Sequence, residues 1–285
     1  MWAVNGKLIS ALRIARERGV SGLIQAVGRN LGVAKLQAGL DESDIAWDFF
    51  QHQSANGTMV DVGAHYGSAL RPFVRKGWRV FAFEPDAKNR AHLLSEFASF
   101  PSLKIDPRAV SDQAKQGVTF YRSDVSSGIS GLSAFDPSHR AEDRIDVTTL
   151  TDFLTDSDVK EIDFLKIDTE GHDLFVLRGL PWGRVKPRLV LCEFENRKTQ
   201  PLGYCYEDLA GYLGDQGYQV ITSEWHPIER YGATHCWHQF SEGSPPPISN
   251  PQGWGNLLAV RDLADLPALR AACSRAAERE HKARH

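Results

Sequence analysis

From residue 58 onward the chain alternates short apolar runs with stretches of helical spacing, and this alternation is the strongest constraint on its fold. The runs are TMVDV at 58–62, WRVFAFE at 78–84, LKID at 103–106, IDFLKID at 162–168 and RLVLCEFE at 188–195. Helical spacing falls between them at 68–75, 87–97, 149–155 and 172–177, and a helix reaching Gln216 leads into YQVITSEW at 218–225. GNLLAVRD, from Gly255, reads as a last strand. Runs so uniformly apolar have no wet face, so helices must cover both sides of the sheet. The expectation is a doubly wound α/β domain of about seven strands.

Two stretches resist regular structure. Residues 123–138, SDVSSGISGLSAFDPS, are long and serine- and glycine-rich enough to serve as a functional or mobile loop. Residues 241–253, SEGSPPPISNPQG, carry too many prolines for a helix or central strand and should cross the sheet end between the last two strands. Before the domain, Leu8, Ile9, Leu12, Ile14, Leu23, Ile24 and Val27 give residues 6–40 a helical spacing broken by glycines. The expected division is a helical N-terminal extension over 1–43, a main domain over 44–262, and a helical or disordered tail over 263–285. A basic amphipathic segment of that kind can also lie on a membrane or a partner.

Bulk charge narrows the partners. A formal net charge of -3 offers no general field for nucleic acid, and no apolar run is long enough to span a bilayer. Four widely spaced cysteines without a CxxC argue against a disulfide framework, and with no secretory leader pattern the expected location is cytoplasmic.

The turn after the first run is DVGAHYG, with Asp61, Gly63 and Gly67, and not the G-x-G-x-x-G of a dinucleotide site. Ala64 stands where a second glycine would admit a pyrophosphate, and Asp61 would repel a diphosphate but accept from an ammonium. The second run ends at Glu84, where a strand-end acid commonly accepts from both hydroxyls of an adenosine ribose. IDFLKIDTEGHDLFVLRG then sets Asp168, Glu170, Gly171, His172 and Asp173 just past a buried strand. In CEFEN, period-two alternation sends Glu193 and Glu195 to one face and Phe194 to the other. Strand-end acids of an open α/β sheet face a common crevice. Lys166, alternating with Asp168, reads either as an ion-pair partner or as part of the site.

DVGAHYG, FAFEP, RAVSD at 108–112, LKIDTEGHDLFVLRG and LCEFE, in this order, resemble the FkbM-type methyltransferases. The resemblance runs from about residue 58 to 260, and KIDTEGHD is its most specific piece. It implies a class I methyltransferase with a Rossmann-like seven-stranded sheet and S-adenosylmethionine as cofactor. Carried over residue by residue, Asp61, Gly63 and Gly67 would bracket the methionine part, with His65 in the same turn, and Glu84 the ribose. Ala109 and Asp112 would lie beside the adenine, while Asp168 and Glu170 would sit near the reactive methyl. Many relatives have asparagine at the place of His65, so that histidine is no obligatory base.

Methyl transfer from a sulfonium requires mainly that acceptor oxygen, carbon and sulfur be held in line, but an alcohol must also lose its proton. Asp168, Glu170 and His172 are the candidates for that role, and Asp168, forced to the carboxyl edge of its strand, comes first. A divalent ion such as Mg²⁺ on Asp168 and Glu193 would be a second way to acidify the alcohol. The late segment WHPIERYGATHCWHQF offers only the H-x-x-H of His235 and His238 for zinc, and reads better as an aromatic wall for a sugar-like or polyketide-like acceptor. The expected reaction is O-methylation of a carbohydrate or secondary metabolite. A nicotinamide-dependent oxidoreductase and a non-catalytic scaffold are the rivals, disfavoured by the glycine pattern and by the intact acids respectively.

Overall fold

The computed structural model describes residues 39–51, 56–123, 125–229, 231 and 235–284; the expected helices of the N-terminal extension lie outside them, apart from its last residues. In chain order the elements are α1 (Glu42–Phe50), β1 (Thr58–Val62), α2 (Arg71–Arg75), β2 (Arg79–Phe83), α3 (Ala87–Glu96) and β3 (Leu103–Asp106). There follow β4 (Ala109–Val110), β5 (Lys115–Ser123), β6 (His139–Thr148), α4 (Leu150–Asp156), β7 (Phe164–Ile167), α5 (Asp173–Arg178) and β8 (Leu189–Glu195). The last are α6 (Asn196–Thr199), α7 (Tyr206–Asp215), β9 (Gln219–Trp225), β10 (Trp237–Gly243), β11 (Trp254–Val260) and α8 (Leu266–Arg284).

The main sheet has eight strands in the order β10-β9-β11-β8-β7-β1-β2-β3. Strands β8 to β3 in that order run parallel, while β11 and β10 enter antiparallel at one edge. From β1 the chain winds outward through β2 and β3, then returns to place β7 on the other side. That reversal opens a crevice at the carboxyl ends of β1 and β7, where sheets of this kind bind ligands. The doubly wound α/β reading holds, with one more sheet strand than expected.

Alternation decides which side chains meet which helices. Val60, Val62, Phe81, Phe83, Leu165 and Ile167 pack in one core layer with α4, α5 and α7. Met59, Val80, Phe164, Leu189 and Leu191 pack in the other with α1, α2 and α8. Within that second layer α8 lies against α1, with Leu269, Ala272 and Ala276 buried. Asp61 and Lys166 alternate onto this second face, as do Glu193 and Glu195 farther along β8.

Two pieces of β structure escaped sequence reading. A three-stranded sheet, β4-β6-β5, stands apart from the main one. Its long strands, KQGVTFYRS and HRAEDRIDVT, are half exposed and bulged, so they carry no apolar run to announce them. Strand β10, in the late aromatic segment, is a partly exposed edge strand. The 123–138 stretch is indeed the connection between β5 and β6, and the proline-rich stretch joins β10 to β11. All four cysteines are free, and no described helix is long and apolar enough to cross a membrane.

Candidate active site

The crevice is a cavity of about 370 Å³, of the size that encloses a small ligand. One wall is the turn after β1. Asp168 N–H donates to Val62 carbonyl at 2.9 Å, so the ends of β1 and β7 are locked together. At Gly63, with φ +82°, a Cβ would fall 1.9 Å from the Asp168 carbonyl oxygen, so only glycine allows that approach. Gly63 and Ala64 donate to the Phe83 carbonyl at 3.0 and 3.1 Å, which folds the turn over the end of β2. There Glu84, 4% exposed, accepts from His65 N–H at 2.7 Å and from Asp86 N–H at 2.8 Å, one bond to each oxygen. Burial outweighs both bonds and pushes this carboxyl up to about 7.

Gly63, His65, Glu84 and Ala109 thus line the cavity, while Asp61, Gly67 and Asp112 are not in its wall. Asp61 does meet an ammonium, but a protein one: it is wholly buried with Lys166 Nζ 3.3 Å away. Gly67 serves packing, since a Cβ there would lie 2.5 Å from Leu93. Asp112 lies beside Gly179, whose Cβ would meet its Cα at 3.3 Å.

The opposite wall is built on KIDTEGHD. Asp173, fully buried, accepts from Thr169 Oγ1 at 2.7 Å and from Glu193 N–H at 2.9 Å, stapling this turn to β8. Burial lifts Asp173 to about 6, and both bonds oppose the lift. Gly171, at φ +95°, brings the turn against α6, where a Cβ would meet that of Lys198 at 3.0 Å. Glu170 stands between, at φ +57°. Among the described residues only His65 and Glu170 are non-glycines with positive φ, and both line this one cavity. Such strain costs on the order of 1–3 kcal/mol and persists where the surroundings over-determine it.

The three residues expected to do chemistry have different surroundings. Asp168 is 44% exposed in its side chain and pairs with Lys166 at 3.3 Å. Burial disfavours the Lys166 ammonium, yet Asp61 and Asp168 together hold it above the ordinary lysine range. Glu170 is buried, and desolvation pushes it up to about 7 against the pull of Lys198. His172 is pushed down to about 4 by burial, so its imidazole is neutral near pH 7, and one ring nitrogen lies 2.8 Å from Ser133 Oγ.

Glu193 is paired with a lysine that also meets two other acids. Lys198 Nζ lies 2.6 Å from Glu170, 2.9 Å from Glu193 and 3.0 Å from Glu195. Tyr231 closes this cluster by donating to Glu195 at 2.9 Å. Sequence reading found the acids but missed Lys198, which carries no motif signal and sits three residues beyond the strand in a four-residue helix. Burial works against this ammonium, but the three carboxylates hold it well above the ordinary lysine range.

The loop between β5 and β6 forms a further wall, and Ser127 Oγ lies 3.0 Å from His65 Nε2. Tyr231, His235 and Trp254 close the far end as an aromatic face. His235 packs on Trp254 whereas His238 stacks on His226, so the H-x-x-H pair is split between different neighbours.

The model of the FkbM methyltransferase domain matches residues 61–220, more than half of the 285-residue chain. The chain belongs to the FkbM methyltransferase family. The match takes in the glycine turn, Glu84, KIDTEGHD and the Lys198 cluster, but ends before the aromatic wall. No curated protein matches the sequence significantly. Among solved structures, magnesium protoporphyrin IX methyltransferase from Synechocystis with bound SAH aligns at 14% identity and a TM-score of 0.43, covering 88% of this chain and 93% of that one. A TehB-like SAM-dependent methyltransferase from Corynebacterium glutamicum aligns at 9% identity and a TM-score of 0.37, covering 82% and 94%.

Proposed function

We propose that this methyltransferase uses S-adenosylmethionine to methylate a hydroxyl oxygen of a carbohydrate or other secondary metabolite, with Glu170 as the proton acceptor. The observation that carries the reading is Glu170 itself: a buried carboxyl in a strained backbone conformation, lining the cavity and pushed up to about 7. A base poised near the working pH is the one best matched to general-base catalysis, worth roughly 10²–10⁴-fold. His172, at about 4, is a weaker base, and Asp168 stands in a more open position, 44% exposed in its side chain.

The residues present fit the cofactor. Glu84 lines the cavity with one backbone N–H bonded to each oxygen, which orients the carboxyl as an acceptor for a ribose hydroxyl. Gly63 lets the ends of β1 and β7 close up beneath the cavity, and the part-exposed carboxylate of Asp168 in its wall suits a sulfonium. When bound, S-adenosylmethionine supplies an already activated methyl group, so the protein needs only to align the acceptor and take its proton. The flat faces of Tyr231 and Trp254, with polar rims, suit a sugar-like ring.

Calorimetry tests the cofactor and product analysis the acceptor atom. S-adenosylhomocysteine should bind at micromolar level, on the order of 8 kcal/mol, and NAD should not. Equal binding of the two would sink the cofactor assignment. A methylated amine instead of a methyl ether would keep the cofactor and overturn the O-methyl reading.

A further inference from the structure

The cluster at the end of β8 has the composition of a divalent-metal site with one addition. Carboxylate oxygens of Asp168, Glu170 and Glu193 come within 4.8 Å of one another, a spacing a hard cation could bridge. The addition is Lys198. Its ammonium already touches the Glu170 and Glu193 oxygens at 2.6 and 2.9 Å and adds Glu195 at 3.0 Å. An ion bridging these carboxylates at about 2.0–2.6 Å would have to sit against the ammonium that already neutralises two of them.

Nor is the lysine poised to swing out. Residue 198 is 3% exposed, and its head lies 5.4 Å from the Phe135 ring centre and 5.8 Å from that of Tyr231. Its Cβ is pinned under Gly171, the residue that follows Glu170. A buried ammonium met by several carboxylates costs less to keep than to leave, because removing it strands the anions together in low dielectric. The residues therefore do not fit a metal-assisted reaction.

We infer that Lys198 is the built-in cation of the acceptor site, a positioning residue that occupies the seat a divalent ion would need and holds Glu170 against the cavity without metal. The inference rests on the acceptor-site reading above for its functional meaning, but its central claim concerns occupancy and is measurable without turnover.

The test is a Mn²⁺ titration of the full chain followed by electron paramagnetic resonance, in wild type and in Lys198→Ala. Wild type should bind no Mn²⁺ at submillimolar concentration, and Lys198→Ala should gain one site at least tenfold tighter. In turnover, wild type should be indifferent to chelator. Lys198→Ala should lose kcat by 10²-fold or more while its affinity for S-adenosylhomocysteine stays within twofold, and Lys198→Arg should recover at least tenfold of the lost kcat. Mn²⁺ bound by wild type as tightly as by the variant, or wild-type turnover lost with chelator, would overturn the inference, as would a folded Lys198→Ala that gains no site. Both wild-type measurements decide the matter even where the alanine variant fails to fold. Failure of wild type to bind S-adenosylhomocysteine would instead defeat the cofactor reading and leave the Mn²⁺ contrast standing.

Discussion

The wall at the ends of β1 and β2 and the wall at the ends of β7 and β8 face one cavity but are made of different material. The first is mostly backbone: a glycine turn, two N–H groups on the Phe83 carbonyl, and one acid held by two more N–H groups. The second is mostly charge, with Asp168, Glu170, Glu193 and Glu195 set against Lys166 and Lys198. A wall of backbone can present a shape to a ligand with little electrostatic cost. A wall of buried charge is expensive unless every group is paired, and its pairings shift the proton affinities of its members.

The largest expected effect separates the walls by function. Glu170→Gln should lower kcat by roughly 10²–10⁴-fold while leaving S-adenosylhomocysteine affinity intact. In wild type the acting base must be the carboxylate, so the rate should rise with pH, half-developed near 7, and level off above it. The glutamine variant should lack that rise. A folded Glu170→Gln enzyme at the wild-type rate would move the proton transfer to Asp168 or His172.

Next come the two glycines on which the walls turn. Gly63→Ala puts a methyl 1.9 Å from a backbone oxygen at φ +82°, and urea denaturation should show a loss of roughly 3 kcal/mol, the sum of a left-handed penalty and overpacking. Gly171→Ala meets the Lys198 Cβ at 3.0 Å and the Lys198 backbone no closer than 3.5 Å, an ordinary contact, so its loss should stay near the left-handed penalty alone, about 1–2 kcal/mol. Equal losses would show that the charged wall is as rigid as the backbone one.

An effect of similar size, read in binding and not in stability, belongs to the first wall's acid. Glu84→Ala should weaken S-adenosylhomocysteine by about 1.5–3 kcal/mol, the scale for hydrogen bonds to a charged group, with kcat at saturation retained. Unchanged affinity in a folded variant would place the ribose elsewhere.

The same contrast explains how much was legible in the sequence. The first wall is local: Gly63 and Glu84 lie just past the ends of neighbouring strands, and strand–turn–helix patterning names them directly. The acids of the second wall were legible for the same reason, because period-two alternation fixes which face Glu193 and Glu195 share. Their partner was not. Lys198 reads like any solvated lysine, and only the packing of α6 under Gly171 buries it. Asp61 shows the converse, a motif acid whose ammonium partner turned out to be Lys166 on the adjacent strand. Of the rings in the late aromatic segment only Tyr231 and His235 reach the cavity; Trp225 and Trp237 are buried in the core, and Trp254 comes from β11, since the placing depends on where an irregular segment lies over β8. The small second sheet was missed because its strands are half wet and bulged.

The packing of α8 on α1 bears on how the chain reaches this structure during synthesis. Leu40 N–H donates to Glu280 at 2.8 Å and Arg275 pairs with Asp48 at 2.8 Å, contacts that join the beginning of the described chain to its end. The part of the sheet's apolar face that α8 covers therefore stays open until that 19-residue helix has left the ribosome. Closure across so long a separation is entropically late. A nascent chain stalled before residue 266 would present Leu258, Val260 and the buried side of α1 to whatever chaperone or neighbour it meets first.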